Sequence, residues 1–180
     1  MRQKGFTLVE LLVALAVGSL VIVGALGAIY QVVWGTGRTN SQVVALTDVH
    51  QAALRLKKDL VMAQLGEGDF PVDGITVITL TPGGPTTATL GWTDYFGDLA
   101  PEERIHTSAY NLLSDGVLQR TYDYDKPSEI MSIVGRNITS VDFAQDGRFI
   151  DVVITATAGD MLPRSETLKF SVYLRGGGLQ

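Results

Sequence analysis

The feature that most constrains this chain is an uncharged, largely apolar stretch near its N-terminus. No charged residue occurs from Leu11 to Gly37, a run of about 27 residues. A helix needs about 20 apolar residues to cross the hydrocarbon core of a membrane. Arg2 and Lys4 precede the run, and positive charge stays on the cytoplasmic side. We therefore predict a transmembrane helix over residues 6–37, with the remainder of the chain outside the cytoplasm.

Glu10 lies at the edge of this apolar run, where a carboxylate is costly. Insertion scales put the penalty for a carboxylate at about 2.5–3.5 kcal/mol at the helix centre, and less near the helix end. An ionisable residue in such a segment usually has a partner and marks a functional site. Glu10 follows a basic leader over residues 1–5, which ends in Gly5, and it follows Phe6. We therefore predict that Glu10 has a specific partner.

The series Gly5, Phe6, Thr7 and Glu10, followed by the apolar run, resembles the prepilin signature of the type IV filament superfamily. That superfamily includes type IV pilins and type II secretion pseudopilins. The resemblance implies that a prepilin peptidase cleaves between Gly5 and Phe6 and methylates the new amino group of Phe6. It also implies a structural subunit rather than an enzyme. Such a subunit lies in the inner membrane and then assembles with other pilin or pseudopilin subunits through its N-terminal helix.

The chemistry of this motif is consistent with a role for Glu10 in assembly. Gly5 has no side chain, so its backbone fits a narrow peptidase cleft. Cleavage creates an α-amino group on Phe6, with which Glu10 of a neighbouring subunit can pair. Opposite charges attract far more strongly in a low-dielectric medium than in water, and an unpaired buried charge is penalised. The pair would therefore favour one axial register between subunits.

Two other interpretations of the N-terminus stay open. One is an ordinary secretory signal peptide over residues 1–28, with Ala25-Leu26-Gly27 as a tolerable cleavage site, although Glu10 would then lie within its apolar region. The other is a plain signal anchor that tethers an unrelated binding or enzymatic domain. This second interpretation explains the length of the run but not Glu10 or the Gly5-Phe6 pair.

Residues 38–66 are predicted to form an amphipathic helix. An apolar stripe recurs at steps of three and four residues, which is helical spacing: Val43, Leu46, Val49, Ala53, Leu56, Leu60 and Ala63. Four charged residues fall mostly off this stripe: Arg55, Lys57, Lys58 and Asp59. We expect the stripe to pack under the protein's own sheet; packing on a neighbouring subunit is the alternative. Gly66-Glu67-Gly68 is predicted to end the helix.

Residues 67–180 are predicted to form a β-rich domain. Strand-like segments are separated by turn residues, including Asp115-Gly116 and Asp146-Gly147. The predicted strands cover residues 75–80, 88–92, 109–113, 117–122, 138–143, 149–156 and 168–174. The predicted fold class is α+β and pilin-like, with a long N-terminal helix packed on a C-terminal antiparallel sheet.

The order of these elements resembles the J-type minor pseudopilins of type II secretion and the W-type minor pilins. No proline precedes Pro71, whereas major pilins often carry one in this helix, which favours a minor subunit. A DNA-uptake pseudopilin is the alternative within the superfamily. The net charge of −5 disfavours nucleic acid as a partner. The chain has no cysteine, which excludes disulfides and cysteine-ligated metal.

The sequence contains no recognisable catalytic motif. His50 and His106 are isolated, and a lone histidine is more often a surface or structural residue than a base. Two acidic stretches are candidates for calcium, which prefers hard oxygen ligands, but neither has the spacing of a defined calcium loop: Asp94 with Asp98, Glu102 and Glu103, and Asp123 with Asp125. We predict no catalytic residues and no cofactor, with calcium as the one candidate ion.

Overall fold

The computed structural model describes residues 7–66, 75–94, 104–124 and 126–176. It contains one long helix, α1, over Leu8–Met62, followed by eight strands. The strands are β1 Ile75–Leu80, β2 Thr87–Thr93, β3 Ile105–Leu112, β4 Leu118–Tyr122, β5 Ile130–Gly135, β6 Ile138–Asp146, β7 Phe149–Ala158 and β8 Arg164–Tyr173. The predicted α+β class, with a long N-terminal helix and antiparallel sheet, is confirmed.

The chain divides into two compact units, residues 1–40 and residues 41–180. The first unit contains the apolar half of α1. The second unit, called the globular unit below, contains the remainder of α1 and all eight strands.

The strands form two four-stranded antiparallel sheets rather than one. Their orders are β1-β6-β7-β8 and β2-β3-β4-β5. The second sheet is a simple meander. In the first sheet β1 pairs with the distant β6, with Ile75 opposite Asp146 and Leu80 opposite Val141. The two predicted turns are present, with glycine in the left-handed conformation at Gly116 (φ 77°) and Gly147 (φ 58°).

α1 ends at Met62, four residues before the predicted glycine stop. The amide of Ala63 still donates to the carbonyl of Asp59 at 2.9 Å, but the amide of Gln64 donates instead to Gly91 in β2, also at 2.9 Å. Gln64 also forms a parallel β-bridge with Arg175. The helix therefore ends where the backbone finds partners outside the helix; Glu67 and Gly68 lie outside the described residues.

Residues 41–62 of α1 and the following Ala63 pack against both sheets, as the apolar stripe predicts at Val49 and at the stripe positions after it. Val43 and Leu46 are exposed, at 54% and 44%. The helix positions that join the core without belonging to the predicted stripe are Ser41, Ala45, Ala52 and Asp59. The facing side chains come from both sheets, including Tyr110, Leu118, Phe143 and Ile154. One core therefore serves the helix and the two sheets together.

Asp59 is the main correction to the predicted helix faces, because it lies in the core at 2% exposure. Arg120 on β4 donates to it twice, from Nε to Oδ2 at 2.6 Å and from Nη2 to Oδ1 at 3.1 Å. The hydroxyl of Tyr110 on β3 donates to Oδ2 at 2.7 Å. A buried charge needs such pairing and hydrogen bonding. We call these three residues the Asp59 network; it ties the last turns of α1 to two strands.

We expect the Asp59 network to make the globular unit sensitive to alkali. Burial, and then the charge of Asp59, raises the pKa of Tyr110 far above its usual value of about 10. The unfolded chain therefore loses this proton at a lower pH than the folded chain does. The contribution of Tyr110 to stability is fully present below about pH 10 and is lost as the pH rises beyond it, by up to about 1.4 kcal/mol per pH unit.

Urea unfolding of the full chain in detergent at pH 9 and pH 11 checks this expectation. The decrease in the free energy of unfolding should be smaller in Tyr110→Phe than in the unmodified protein. Equal decreases in both proteins would show that Tyr110 does not carry the effect.

Candidate functional site

Glu10 lies in the first turn of α1 and closes a reciprocal pair of hydrogen bonds with Thr7. Thr7 donates to Glu10 Oε2 from its backbone amide at 2.9 Å and from its hydroxyl at 3.0 Å. The amide of Glu10 donates back to Thr7 Oγ1 at 3.3 Å. This is a capping box, in which the residue before the helix and the third helical residue satisfy each other's amides.

The capping box gives Glu10 a partner within its own chain. It satisfies two of the amides that a helix N-terminus leaves unpaired, and its negative charge faces the positive end of the helix dipole. The pattern Thr7-x-x-Glu10 directly before an apolar run is a readable signature of this arrangement. From the sequence, Glu10 was predicted only to pair with another subunit, and this local role was missed.

The apolar half of α1 meets the requirements for a membrane span. By length and composition α1 is able to cross a membrane, and its most apolar window is 0% buried within the protein. The hydroxyls of Ser19 and Thr36 are satisfied inside the helix. Ser19 donates to the carbonyl of Ala16 at 2.8 Å, and Thr36 donates to that of Val32 at 2.8 Å. Few side-chain polar groups of this segment therefore need a partner in lipid.

Tyr30 and Trp34 mark the far end of the apolar run. They are one turn apart on α1, with ring centroids 5.4 Å apart, and both side chains are exposed. Tyrosine and tryptophan concentrate at membrane–water interfaces. The first charged residue after the run, Arg38, follows within about one turn. This aromatic pair was not singled out from the sequence, although its position before Arg38 is a usable signal.

All five glycines of this segment leave open space on the surface of the helix: Gly18, Gly24, Gly27, Gly35 and Gly37. A Cβ atom added at any of them would meet no atom of the described residues within 4 Å. Small residues let helices approach closely in a membrane. The surface of the helix at Gly18, Gly24 and Gly27 is therefore open to another helix.

Several predicted site residues lie elsewhere or outside the described residues. Gly5 and Phe6, the predicted cleavage pair, are outside them, as are the acidic residues Asp98, Glu102, Glu103 and Asp125. His106 lies on β3 in the globular unit, where its Nδ1 is 2.8 Å from Asp123 Oδ1. Within the described parts of the chain, no three histidine, aspartate or glutamate side chains cluster in a way that could hold a metal ion.

Comparison with known proteins finds one family. The model of the prokaryotic N-terminal methylation motif matches residues 1–26, which include Gly5, Phe6, Thr7 and Glu10. No curated protein and no solved structure gives a significant match.

The motif indicates processing by prepilin peptidase and points to a structural subunit. Together with the long apolar helix, it fits a membrane-anchored protein. The match over residues 1–26 is to the N-terminal motif of type IV pilins and pseudopilins and supports that superfamily for this chain.

Proposed function

We propose that this protein is a minor pilin or pseudopilin, a non-enzymatic subunit of a type IV pilus-like filament or type II secretion pseudopilus. The observation that carries the proposal is the methylation motif, which leads directly into a helix able to span a membrane. Prepilin peptidase would cleave between Gly5 and Phe6 and methylate Phe6. The processed subunit would wait in the inner membrane, with its globular unit outside the cytoplasm, until assembly.

In this proposal Glu10 changes partners during assembly. In the single chain its carboxylate accepts hydrogen bonds from Thr7. In the filament it would pair with the Phe6 amino group of a neighbouring subunit. The new partner carries a full positive charge, and charge-assisted hydrogen bonds are roughly twice as strong as neutral ones. The capping box therefore supplies hydrogen bonds to the Glu10 carboxylate while the subunit is in the membrane. The stronger ion pair with Phe6 would replace these hydrogen bonds during assembly.

The open surface at Gly18, Gly24 and Gly27 supports helix packing as the second element of assembly. Neighbouring N-terminal helices would approach each other at these glycines, where no Cβ atom holds them apart. The acidic charge of the chain, −5, supports a filament role over DNA binding.

Intact-mass and N-terminal analysis of the protein from its native membrane tests the processing step. We expect a chain that begins at Phe6 and is heavier by one methyl group. A Gly5→Leu variant should retain the leader, because a large side chain does not fit a site built for bare backbone. The control variant Gln3→Leu carries the same side chain within the leader and should still be cleaved.

Two results would contradict the proposal. A native chain that begins near Ala28 would indicate a secretory signal peptide. A native chain that retains Met1, with Gly5→Leu indistinguishable from Gln3→Leu, would indicate a plain membrane anchor.

A further inference from the structure

The globular unit contains a cleft that the filament role does not use. It has a volume of about 470 Å³ and lies beside the last turns of α1, on the face of the β2-β3-β4-β5 sheet that the helix covers. Small-molecule sites typically occupy roughly 300–1,000 Å³. The residues that matter for its chemistry are Arg55, Lys58, Trp92, His106 and Tyr122. We call it the Trp92 cleft.

One wall of the Trp92 cleft is aromatic and held in place. The ring of His106 stacks on Tyr122 with centroids 5.6 Å apart, and Trp92 lies 6.0 Å from each of them. Two contacts fix His106 at Nδ1, with Asp123 Oδ1 at 2.8 Å and the Tyr122 hydroxyl at 3.0 Å. Nε2 is then the ring nitrogen left without a protein partner among the described residues. A preformed aromatic wall favours an apolar or aromatic ligand body.

The helix side of the cleft supplies positive charge. Arg55 and Lys58 lie three residues apart on α1, are exposed, and make no ion pair or side-chain hydrogen bond within the described parts of the chain. The third cation in the lining, Arg120, is already held by Asp59. This local charge is unusual in a chain with a net charge of −5. Among the described residues no anion pairs with Arg55 or Lys58, and an anionic ligand would supply that partner.

The charge balance limits the anion to a single negative charge. Among the described residues, the lining holds three cations, Arg55, Lys58 and Arg120, and two carboxylates, Asp59 and Asp94. One monoanion neutralises this set, whereas a phosphate dianion leaves an excess of negative charge in a partly enclosed site. A carboxylate also matches the planar donor pair of a guanidinium group.

We propose that the Trp92 cleft binds a carboxylate carried on a small apolar or aromatic body, of the size of one or two amino-acid residues. The carboxylate lies between Arg55 and Lys58, with His106 Nε2 as a third polar contact, and the body lies against Trp92 and Tyr122. Chain ends and acidic side chains of other proteins, and free small carboxylates, share this chemistry. The site is independent of the processing and assembly of the N-terminal helix.

The probe is N-acetylphenylalanine, titrated into the full chain in detergent micelles. The chain has two tryptophans, Trp34 and Trp92, so a Trp34→Phe background leaves Trp92 as the only tryptophan reporter. We expect a saturable change in its fluorescence that weakens as salt is added. The neutral analogue N-acetylphenylalaninamide should bind about tenfold more weakly or worse, because it lacks the charged partner.

Single substitutions on α1 separate a built site from general attraction. Arg55→Gln and Lys58→Gln should each weaken binding severalfold, and together they should weaken it at least about tenfold. The control is Lys57→Gln, which removes the same charge from an exposed position on the same helix that does not line the cleft. It should leave the affinity unchanged.

Several outcomes would overturn the proposal. One is the absence of a saturable fluorescence change in a protein whose circular dichroism is native. A second is equal affinity for N-acetylphenylalanine and its amide. A third is a loss of affinity in Lys57→Gln as large as that in Arg55→Gln or Lys58→Gln. Tighter binding of phenyl phosphate than of N-acetylphenylalanine would overturn the assignment of a monoanionic carboxylate. Free N-acetylphenylalanine and the same residue at the end of a pentapeptide then distinguish small metabolites from protein chain ends.

Discussion

The Glu10→Gln variant is expected to insert into the membrane normally but to fail to enter filaments. Glutamine at the third helical position still completes a capping box with Thr7, so the start of α1 keeps its local structure. What it lacks is the charge that pairs with the Phe6 amino group of the next subunit. We expect a reduction in incorporation of at least about tenfold, the effect of losing an interaction of about 1.4 kcal/mol or more in a low-dielectric setting.

The matched control for Glu10→Gln is Thr7→Val, which removes the hydroxyl of the capping box and keeps the carboxylate. Loss of an N-terminal cap costs about 0.5–2 kcal/mol of helix stability, which a long helix held in a membrane tolerates. Thr7→Val should therefore assemble. Membrane fractionation and recovery of sheared filaments measure the two steps separately. Normal assembly of Glu10→Gln together with failure of Thr7→Val would assign Glu10 to capping alone.

The second large effect is expected from Asp59→Ala, which should destabilise the globular unit by about 3–5 kcal/mol. The substitution leaves the guanidinium of Arg120, whose side chain is 17% exposed, and the buried hydroxyl of Tyr110 without their shared acceptor. Removing one partner of a buried pair costs more than the pair itself contributes, because the remaining charge stays desolvated. Urea unfolding of the full chain in detergent measures the change.

Asp151→Ala serves as the control for Asp59→Ala. Asp151 pairs with Lys169 at 3.7 Å, but the two side chains are 46% and 65% exposed, and such surface pairs contribute about 0–1 kcal/mol. The combined variant Asp59→Leu, Tyr110→Phe and Arg120→Met should recover most of the lost stability, since it removes all members of the network together. A cost below about 1 kcal/mol for Asp59→Ala alone would contradict the assigned role.

Much of the architecture was predictable because it depends on local patterns. Strand β1 has the predicted limits, residues 75–80, because β-branched residues fill it and turn residues follow it. The turns at Gly116 and Gly147 were predictable because each needs a left-handed residue that glycine supplies. The separation into two sheets was not, because the pairing of β1 with β6 depends on contacts between residues far apart in the sequence.

The remaining differences have local physical reasons. Strand β5 was missed because it is an edge strand in which Ile130 to Ile133 are all exposed, so its sequence lacks the alternation of a half-buried strand. Asp59 was placed off the apolar stripe because of its charge, although its spacing from Ala52, Leu56 and Ala63 fits the core side of the helix. Of the candidate site, the capping box was readable from Thr7 and Glu10. The Trp92 cleft was not, since its walls come from α1 and several strands.

The junction after α1 has a consequence for the order in which this protein is made. Gln64 and Leu65 are held by Arg175, through a β-bridge and a 3.2 Å hydrogen bond from the amide of Leu65 to the carbonyl of Arg175. Arg175 lies about 110 residues after Leu65 and follows all eight strands. During synthesis this junction therefore cannot form until every strand has been made, and the apolar strands stay accessible to chaperones and proteases until then.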